Sequence, residues 1–220
     1  MPSGQTVDTE RRSLTRPDGR VIEFLVAGPA DGLPLVLHEG TPCGLVLYPP
    51  TVRAAGIRGL RVILAARPGY EGSTPRPGRR VVDVAQDTAA VLDDLGAGSF
   101  VTLGWSGGGP HALACAAALP GRCLAAGSIA GVAPYAADGL DWLVGWESPS
   151  PSPAPGDPAP VAVWQGDQDQ MVPYAHGQWL AARIRGARVH LMPGEGHLSM
   201  TVSAFDRILD DLLDLAGLTA

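Results

Sequence analysis

Apolar positions recur along the chain in two patterns. Strand candidates occur at 21–27, 35–38, 60–66, 100–105, 123–129, 161–165 and 188–192, most of them short continuous apolar runs. Runs of that length without polar alternation are expected of strands buried on both faces of a sheet. Longer stretches with apolar residues at helical spacing lie between them, at 82–95, 108–119, 174–185 and 199–215. In the last of these, Phe205, Ile208, Leu209, Leu212 and Leu215 share a face, and Asp206, Arg207, Asp210 and Asp211 fall between them. The alternation predicts an α/β fold with a mostly parallel central sheet flanked by helices. The segment 149–160, PSPSPAPGDPAP, breaks this rhythm with six prolines in twelve residues. Proline removes a backbone donor and fixes φ, so an extended linker or surface loop is expected there rather than a helix or central strand.

Composition narrows the classes of function. A chain of 220 residues fits one domain with a well-buried core, and 45% hydrophobic with 17% charged residues is a globular mixture. The net charge of −6, with no Lys/Arg block, speaks against a nucleic-acid surface. All 16 basic residues are arginine, which excludes lysine chemistry, and the absence of asparagine excludes a Cys/His/Asn arrangement. No apolar stretch reaches bilayer-spanning length, and the first twelve residues, MPSGQTVDTERR, do not read as a secretory signal. Cys43, Cys115 and Cys123 show neither CxxC nor metal spacing and read as reduced thiols of a cytoplasmic protein.

The strongest chemical signal is Gly104-Trp105-Ser106-Gly107-Gly108, which fits G-x-S-x-G at the junction of the strand SFVTLGW and the helix GGGPHALACAAAL. A nucleophilic serine at such a junction needs a sharp turn that lifts its hydroxyl above the sheet, with small residues two positions to either side. The Gly107 amide then faces the same space as the hydroxyl, near a helix N-terminus. The competing readings are a glycine-rich turn before a packing helix, and a phosphate loop, which lacks its lysine.

A serine nucleophile needs a base and an acid that orients the base, in the chain order Ser…Asp…His. His197, in the glycine-rich segment MPGEGHLSM between the last strand and the last helix, stands where a base should. His190 falls inside a strand, and His176 and His111 lie in helices, so all three read as packing or surface residues. For the acid, the loop DQDQMVP after strand PVAVWQG offers both Asp167 and Asp169. Either is equally at home as a turn residue or cap.

Five segments together, VLHEGTP, ARPGYEGSTPRPGR, LGWSGGGPHALACAA, WQGDQDQMVP and GEGHLS, resemble the α/β-hydrolase superfamily. The likeness covers nearly the whole chain and is greatest to bacterial serine esterase-like hydrolases. It implies Ser106 as nucleophile, Asp169 rather than Asp167 as acid, His197 as base, and the amides of Thr41 and Gly107 as the oxyanion hole. A serine at 106 argues against the epoxide hydrolases and dehalogenases of that family, which use aspartate there. Cleavage of a small-molecule ester, thioester or lactone through an acyl-enzyme is therefore expected, with no metal or organic cofactor. The alternatives are a non-hydrolytic acyltransferase, lyase or cyclase, or a silent small-molecule-binding protein.

Two features depart from the family pattern. Glu39 stands where the family commonly has histidine, so it is either a surface residue or a carboxylate facing the pocket. The interval 131–160 is short, which implies a reduced or missing cap on a single domain. Trp142, Leu143 and Trp146 within it would form an apolar wall or a patch pairing two subunits. Tyr70 and Trp105 complete the candidate pocket residues, and Arg67, Pro68 and Gly69 read as structural.

Overall fold

A computed structural model describes residues 8–134 and 159–218 of the chain. Eight strands form one sheet: β1 (Thr9–Thr15), β2 (Val21–Ala27), β3 (Leu33–His38), β4 (Leu60–Ala65), β5 (Phe100–Trp105), β6 (Cys123–Ile129), β7 (Val161–Gly166) and β8 (Arg188–Met192). Their spatial order is β1-β2-β4-β3-β5-β6-β7-β8. β2 runs antiparallel to both β1 and β4, and every other pairing is parallel. The helices are α1 (Pro49–Ile57), α2 (Val84–Asp94), α3 (Gly109–Ala118), α4 (Tyr174–Arg183), α5 (Ser199–Ser203) and α6 (Phe205–Leu215). This is the expected α/β architecture.

Period-2 alternation sends side chains of each inner strand to two different cores. Leu35 and Leu37 of β3, Val62 and Leu64 of β4, and Leu103 of β5 meet α1 and α6, where Val52, Ala55, Ile208, Leu209 and Leu212 wait. Val36, Ile63, Phe100 and Val163 face the other way, onto α2, α3 and α4. Both faces are covered, which is why these strands are apolar throughout. Leu209 and Leu212 are fully buried, and truncation of such a leucine to alanine typically destabilises by about 2–5 kcal/mol.

Three elements differ from the sequence-based expectation. β1 was not foreseen: its residues TERRSLT are mostly exposed, and it pairs only with β2 at the sheet edge. Charged side chains there protect an edge that would otherwise template further pairing. α1 was also missed. It starts with Pro49 and Pro50 after Tyr48 in extended conformation, a good helix start, but the helix is only weakly amphipathic. The single helix expected over 199–215 is two, broken at Ala204. The Glu195 carboxylate accepts hydrogen bonds from Ser199 and Ser203, which pins α5 to the loop before it. The interval expected to hold a reduced cap, including Trp142, Leu143 and Trp146, and all of the proline-rich run but Ala159 and Pro160, lies outside the described residues. Among the described residues, no helix is long and apolar enough to cross a membrane.

Candidate active site

The C-terminal ends of β3, β5, β7 and β8 converge on one place, as is usual for sites in parallel α/β sheets. β5 ends at Trp105, and a 3₁₀ turn, Ser106–Gly108, leads into α3. Ser106 has φ +56°, the left-handed region that a residue with a Cβ rarely adopts. Such a conformation costs on the order of 1–3 kcal/mol and persists only where the surroundings impose it. They do so through two glycines. A Cβ on Gly104 would stand 2.2 Å from the Gly108 carbonyl oxygen, and one on Gly108 would stand 1.8 Å from that of His38. The turn therefore closes only with glycine at both positions.

The β3 loop packs directly on this turn. A Cβ on Gly40 would lie 3.3 Å from the Ser106 Cβ, and one on Gly107 would lie 3.3 Å from the Thr41 amide nitrogen. The amides of Thr41 and Gly107 thus flank the serine. Arg67, 5% exposed, holds the loop in place. It donates to the carbonyls of Glu39 (2.7 Å) and Gly40 (2.6 Å) and to Thr41 Oγ1 (3.0 Å). Its guanidinium lies 5.6 Å from the Tyr70 ring, which packs half-buried beside it.

Asp169 and His197 meet from separate loops. Gly166 lets those loops touch, because a Cβ there would lie 2.1 Å from the Glu195 carbonyl oxygen, and the Gln168 amide donates to that same oxygen. His197 Nδ1 lies 2.8 Å from Asp169 Oδ2. The carboxylate also accepts from the amides of Met171 and Val172 at Oδ1, both at 2.8 Å, and from Gln165 Nε2 at Oδ2, 3.1 Å. Burial alone would raise the Asp169 pKa. The hydrogen bonds from His197, Val172 and Met171 outweigh it and hold the group below the ordinary carboxylate value. Asp167 does something else: it is exposed and accepts from the Gly194 amide at 2.8 Å, a turn staple. His197 is 5% exposed, and its Nε2 is buried with no hydrogen-bond partner among the described residues. Its ring sits 5.0 Å from that of Trp105, whose Nε1 donates to the His197 carbonyl.

The remaining histidines are engaged in packing. Burial, with a smaller contribution from the Arg67 charge, pushes the His38 pKa down to about 3, so this ring is neutral. His111 donates from Nδ1 to the Gly107 carbonyl (2.9 Å), and burial depresses its pKa as well. His176 accepts the Ala133 amide at Nδ1. His190 stacks on Trp164 at 3.7 Å and points Nε2 at Asp211. The cysteines are free, with Cys115 and Cys123 buried.

Beside Trp105 lies a cavity of about 160 Å³, lined by Glu39, Tyr48, Trp105, Ile129, Val202 and Phe205 among others. Of the candidate pocket residues, Glu39 and Trp105 line it, Tyr70 does not, and Trp142 lies outside the described residues. Burial raises the Glu39 pKa, while Arg67 and the Gly40 amide oppose that rise. The roles of Arg67 as a loop clamp, of Gln165 as a further donor to Asp169, and of Glu195 as an α5 anchor were not read from the sequence. No local pattern signals them, because each contact joins positions distant in the chain or depends on loop geometry.

A serine at a strand-turn-helix junction and a histidine–aspartate pair, both at the C-terminal edge of a sheet in this strand order, are the features to set beside known proteins. Residues 34–159 match the family model for the alpha/beta hydrolase fold, and the chain belongs to that family. The chain is 35% identical over 124 residues to a non-heme chloroperoxidase of Streptomyces lividans, a stretch covering 56% of this chain and 45% of that protein. It therefore spans less than half the length of that relative. Solved structures with the same fold include an esterase from Exiguobacterium antarcticum (TM-score 0.75, 17% identity, 94% of this chain and 100% of that one). A thermophilic esterase from Thermogutta terrifontis, solved with malate bound, has TM-score 0.69 and 18% identity over 94% of this chain and 99% of its own. An alpha/beta hydrolase fold protein from Nakamurella multipartita has TM-score 0.71 and 22% identity over 94% and 100%. These structures, all below 25% identity, share the fold of the chain.

Proposed function

We propose that the chain is a serine hydrolase that cleaves a small-molecule ester, thioester or lactone through an acyl-enzyme. The observation that carries this reading is the His197 ring, tied at Nδ1 to Asp169 and buried with Nε2 unpartnered, packed against Trp105, the residue before a serine held at positive φ. In this reading Ser106 Oγ attacks the carbonyl carbon and its proton passes to His197 Nε2. The tetrahedral oxyanion is held by the Thr41 and Gly107 amides; one such donor is worth about 3 kcal/mol of barrier. Collapse breaks the bond to the alcohol or thiol, which leaves with the proton from His197. Water then attacks the acyl-enzyme with His197 again taking the proton, and the carboxylic acid departs as Ser106 is restored. Asp169 keeps the imidazole in one tautomer and stabilises the imidazolium. None of these steps calls for a cofactor.

The test is intact-mass analysis after a fluorophosphonate probe, on the parent, Ser106→Ala and His197→Ala. One label per chain on the parent and none on either variant is expected. A folded parent that takes no label overturns the reading.

A further inference from the structure

The cavity beside Trp105 holds a charge that the acyl-transfer steps do not use. Leu37, near the end of β3, faces the core under α1 and α6, and Glu39, the first residue after β3, lines the cavity together with it. Leu103, Trp105, Ile129 and Phe205 of the lining pack in the α1/α6 core, and Tyr48, Thr51, Thr201 and Val202 complete it. Glu39 is thus a carboxylate lining a mainly apolar hollow with a few hydroxyls, its backbone one residue before the loop that flanks Ser106.

Among the described residues, the Gly40 amide and the nearby Arg67 charge favour the Glu39 carboxylate, but no side-chain donor is bonded to it. The nearby cation, Arg67, directs its donors to the carbonyls of Glu39 and Gly40 and to Thr41 Oγ1, and no ion pair or side-chain hydrogen bond to the Glu39 carboxylate occurs among the described residues. His38, which also lines the hollow, is neutral. A half-buried carboxylate among apolar walls is unfavourable unless something of opposite charge completes it. The volume of about 160 Å³ takes a group the size of about five waters. That is room for a short chain and its terminal group.

Resting on the serine-hydrolase reading, we infer that Glu39 is a substrate-recognition residue for a protonated amine, so that the preferred substrates are esters or thioesters of short acyl chains ending in a primary ammonium. The apolar walls receive the methylenes, and the carboxylate accepts hydrogen bonds from the ammonium. The shift of the Glu39 carboxyl toward higher pKa, caused by burial, agrees with a group poised for a cation.

Three esters with one heavy-atom skeleton test this: ethyl 3-aminopropanoate, ethyl 3-hydroxypropanoate and ethyl butanoate. kcat/KM is measured for each with the parent and with Glu39→Gln, which keeps the shape and removes the charge. The quantity read is the ammonium-to-methyl ratio in the parent divided by that in the variant, which cancels the intrinsic reactivity of each ester. A quotient of at least about ten is expected for a lost hydrogen bond between charged groups. An unchanged ratio, or a parent that prefers the hydroxyl ester to the ammonium ester, overturns the inference. Fluorophosphonate labelling of Ser106 in both proteins shows separately whether the hydrolase reading holds. If Ser106 proves unreactive, calorimetric titration with n-butylammonium against n-butanol decides the role of Glu39. Ammonium binding lost in Glu39→Gln sustains it, and no ammonium binding, or binding equal in parent and variant, defeats it.

Discussion

Replacing Arg67 by methionine keeps most of the side-chain length and removes every donor that clamps the β3 loop. Three contacts go: those to the carbonyls of Glu39 and Gly40 at 2.7 and 2.6 Å, and that to Thr41 Oγ1 at 3.0 Å. Hydrogen bonds from a charged donor contribute about 1.5–3 kcal/mol each, but Arg67 is 5% exposed, and burying its charge costs several kcal/mol in the other direction. The net loss of stability should be about 2–4 kcal/mol. The loss of activity should exceed what that figure alone suggests. The Thr41 amide is positioned only by this loop, and a displacement of about 1 Å in a catalytic group typically costs on the order of 10² in rate. Arg67→Met is therefore expected to lower kcat about 100-fold with little change in KM, and to slow fluorophosphonate labelling of Ser106 in proportion. Arg67→Lys should recover only part of this, because one ammonium cannot reproduce the fork that reaches three acceptors. Both rates are read well below the melting temperature of each variant. If Arg67→Met melts earlier yet labels Ser106 at the parent rate, the guanidinium supports the fold and does not position the Thr41 amide for the proposed reaction.

Other substitutions probe the neighbouring parts. Asp169→Asn must turn its NH2 either toward the Met171 and Val172 amides or toward Gln165 Nε2 and His197 Nδ1; either way donors face donors. A loss of about 10³–10⁴ in kcat is expected, and parent-like turnover would remove Asp169 from the mechanism. The same residue sets an acid limit on stability. Its folded pKa is depressed, so its contribution is full above the unfolded value of about 3.9 and disappears as pH falls through the folded one. Urea midpoints measured from pH 5 to pH 3 should thus fall more steeply for the parent than for Asp169→Asn, and parallel curves contradict the assignment. Gly108→Ala places a Cβ 1.8 Å from the His38 carbonyl oxygen and 2.7 Å from that of Glu39, so backbone must move; loss of Ser106 labelling with a lowered melting temperature is expected. Gly98→Ala, where a Cβ meets nothing within 4 Å, is the control and should stay within about 0.5 kcal/mol of the parent.

What could be read from the chain, and what could not, follows the reach of each interaction. β3 to β7 were legible because strands buried on both faces write their burial as a largely unbroken apolar run. β1 left no such trace, since TERRSLT at an edge owes its conformation to the backbone of β2. The elbow was legible because Gly104 and Gly108 are needed within four residues of each other, a constraint local enough to appear as a motif. The choice between Asp167 and Asp169 could not be made from local chemistry, as both are aspartates of one turn. It is decided by a contact across 28 positions, where Gly166 admits the Glu195 carbonyl and brings the Asp169 loop against His197. Arg67 is a related case: its motif marked it as structural, but its partners were not legible until β3 and β4 lay side by side and its fork met the carbonyls of Glu39 and Gly40. Glu39 falls between these extremes. In the sequence it could be either a surface residue or a carboxylate facing the pocket, and the hollow it lines is built by residues of β3, β5, α5 and α6 that are distant in the chain. A carboxylate whose surroundings are set by distant packing is legible in sequence only as an anomaly. Here the anomaly was a glutamate where a histidine is usual, and the structure supplies the cavity that makes it chemically meaningful.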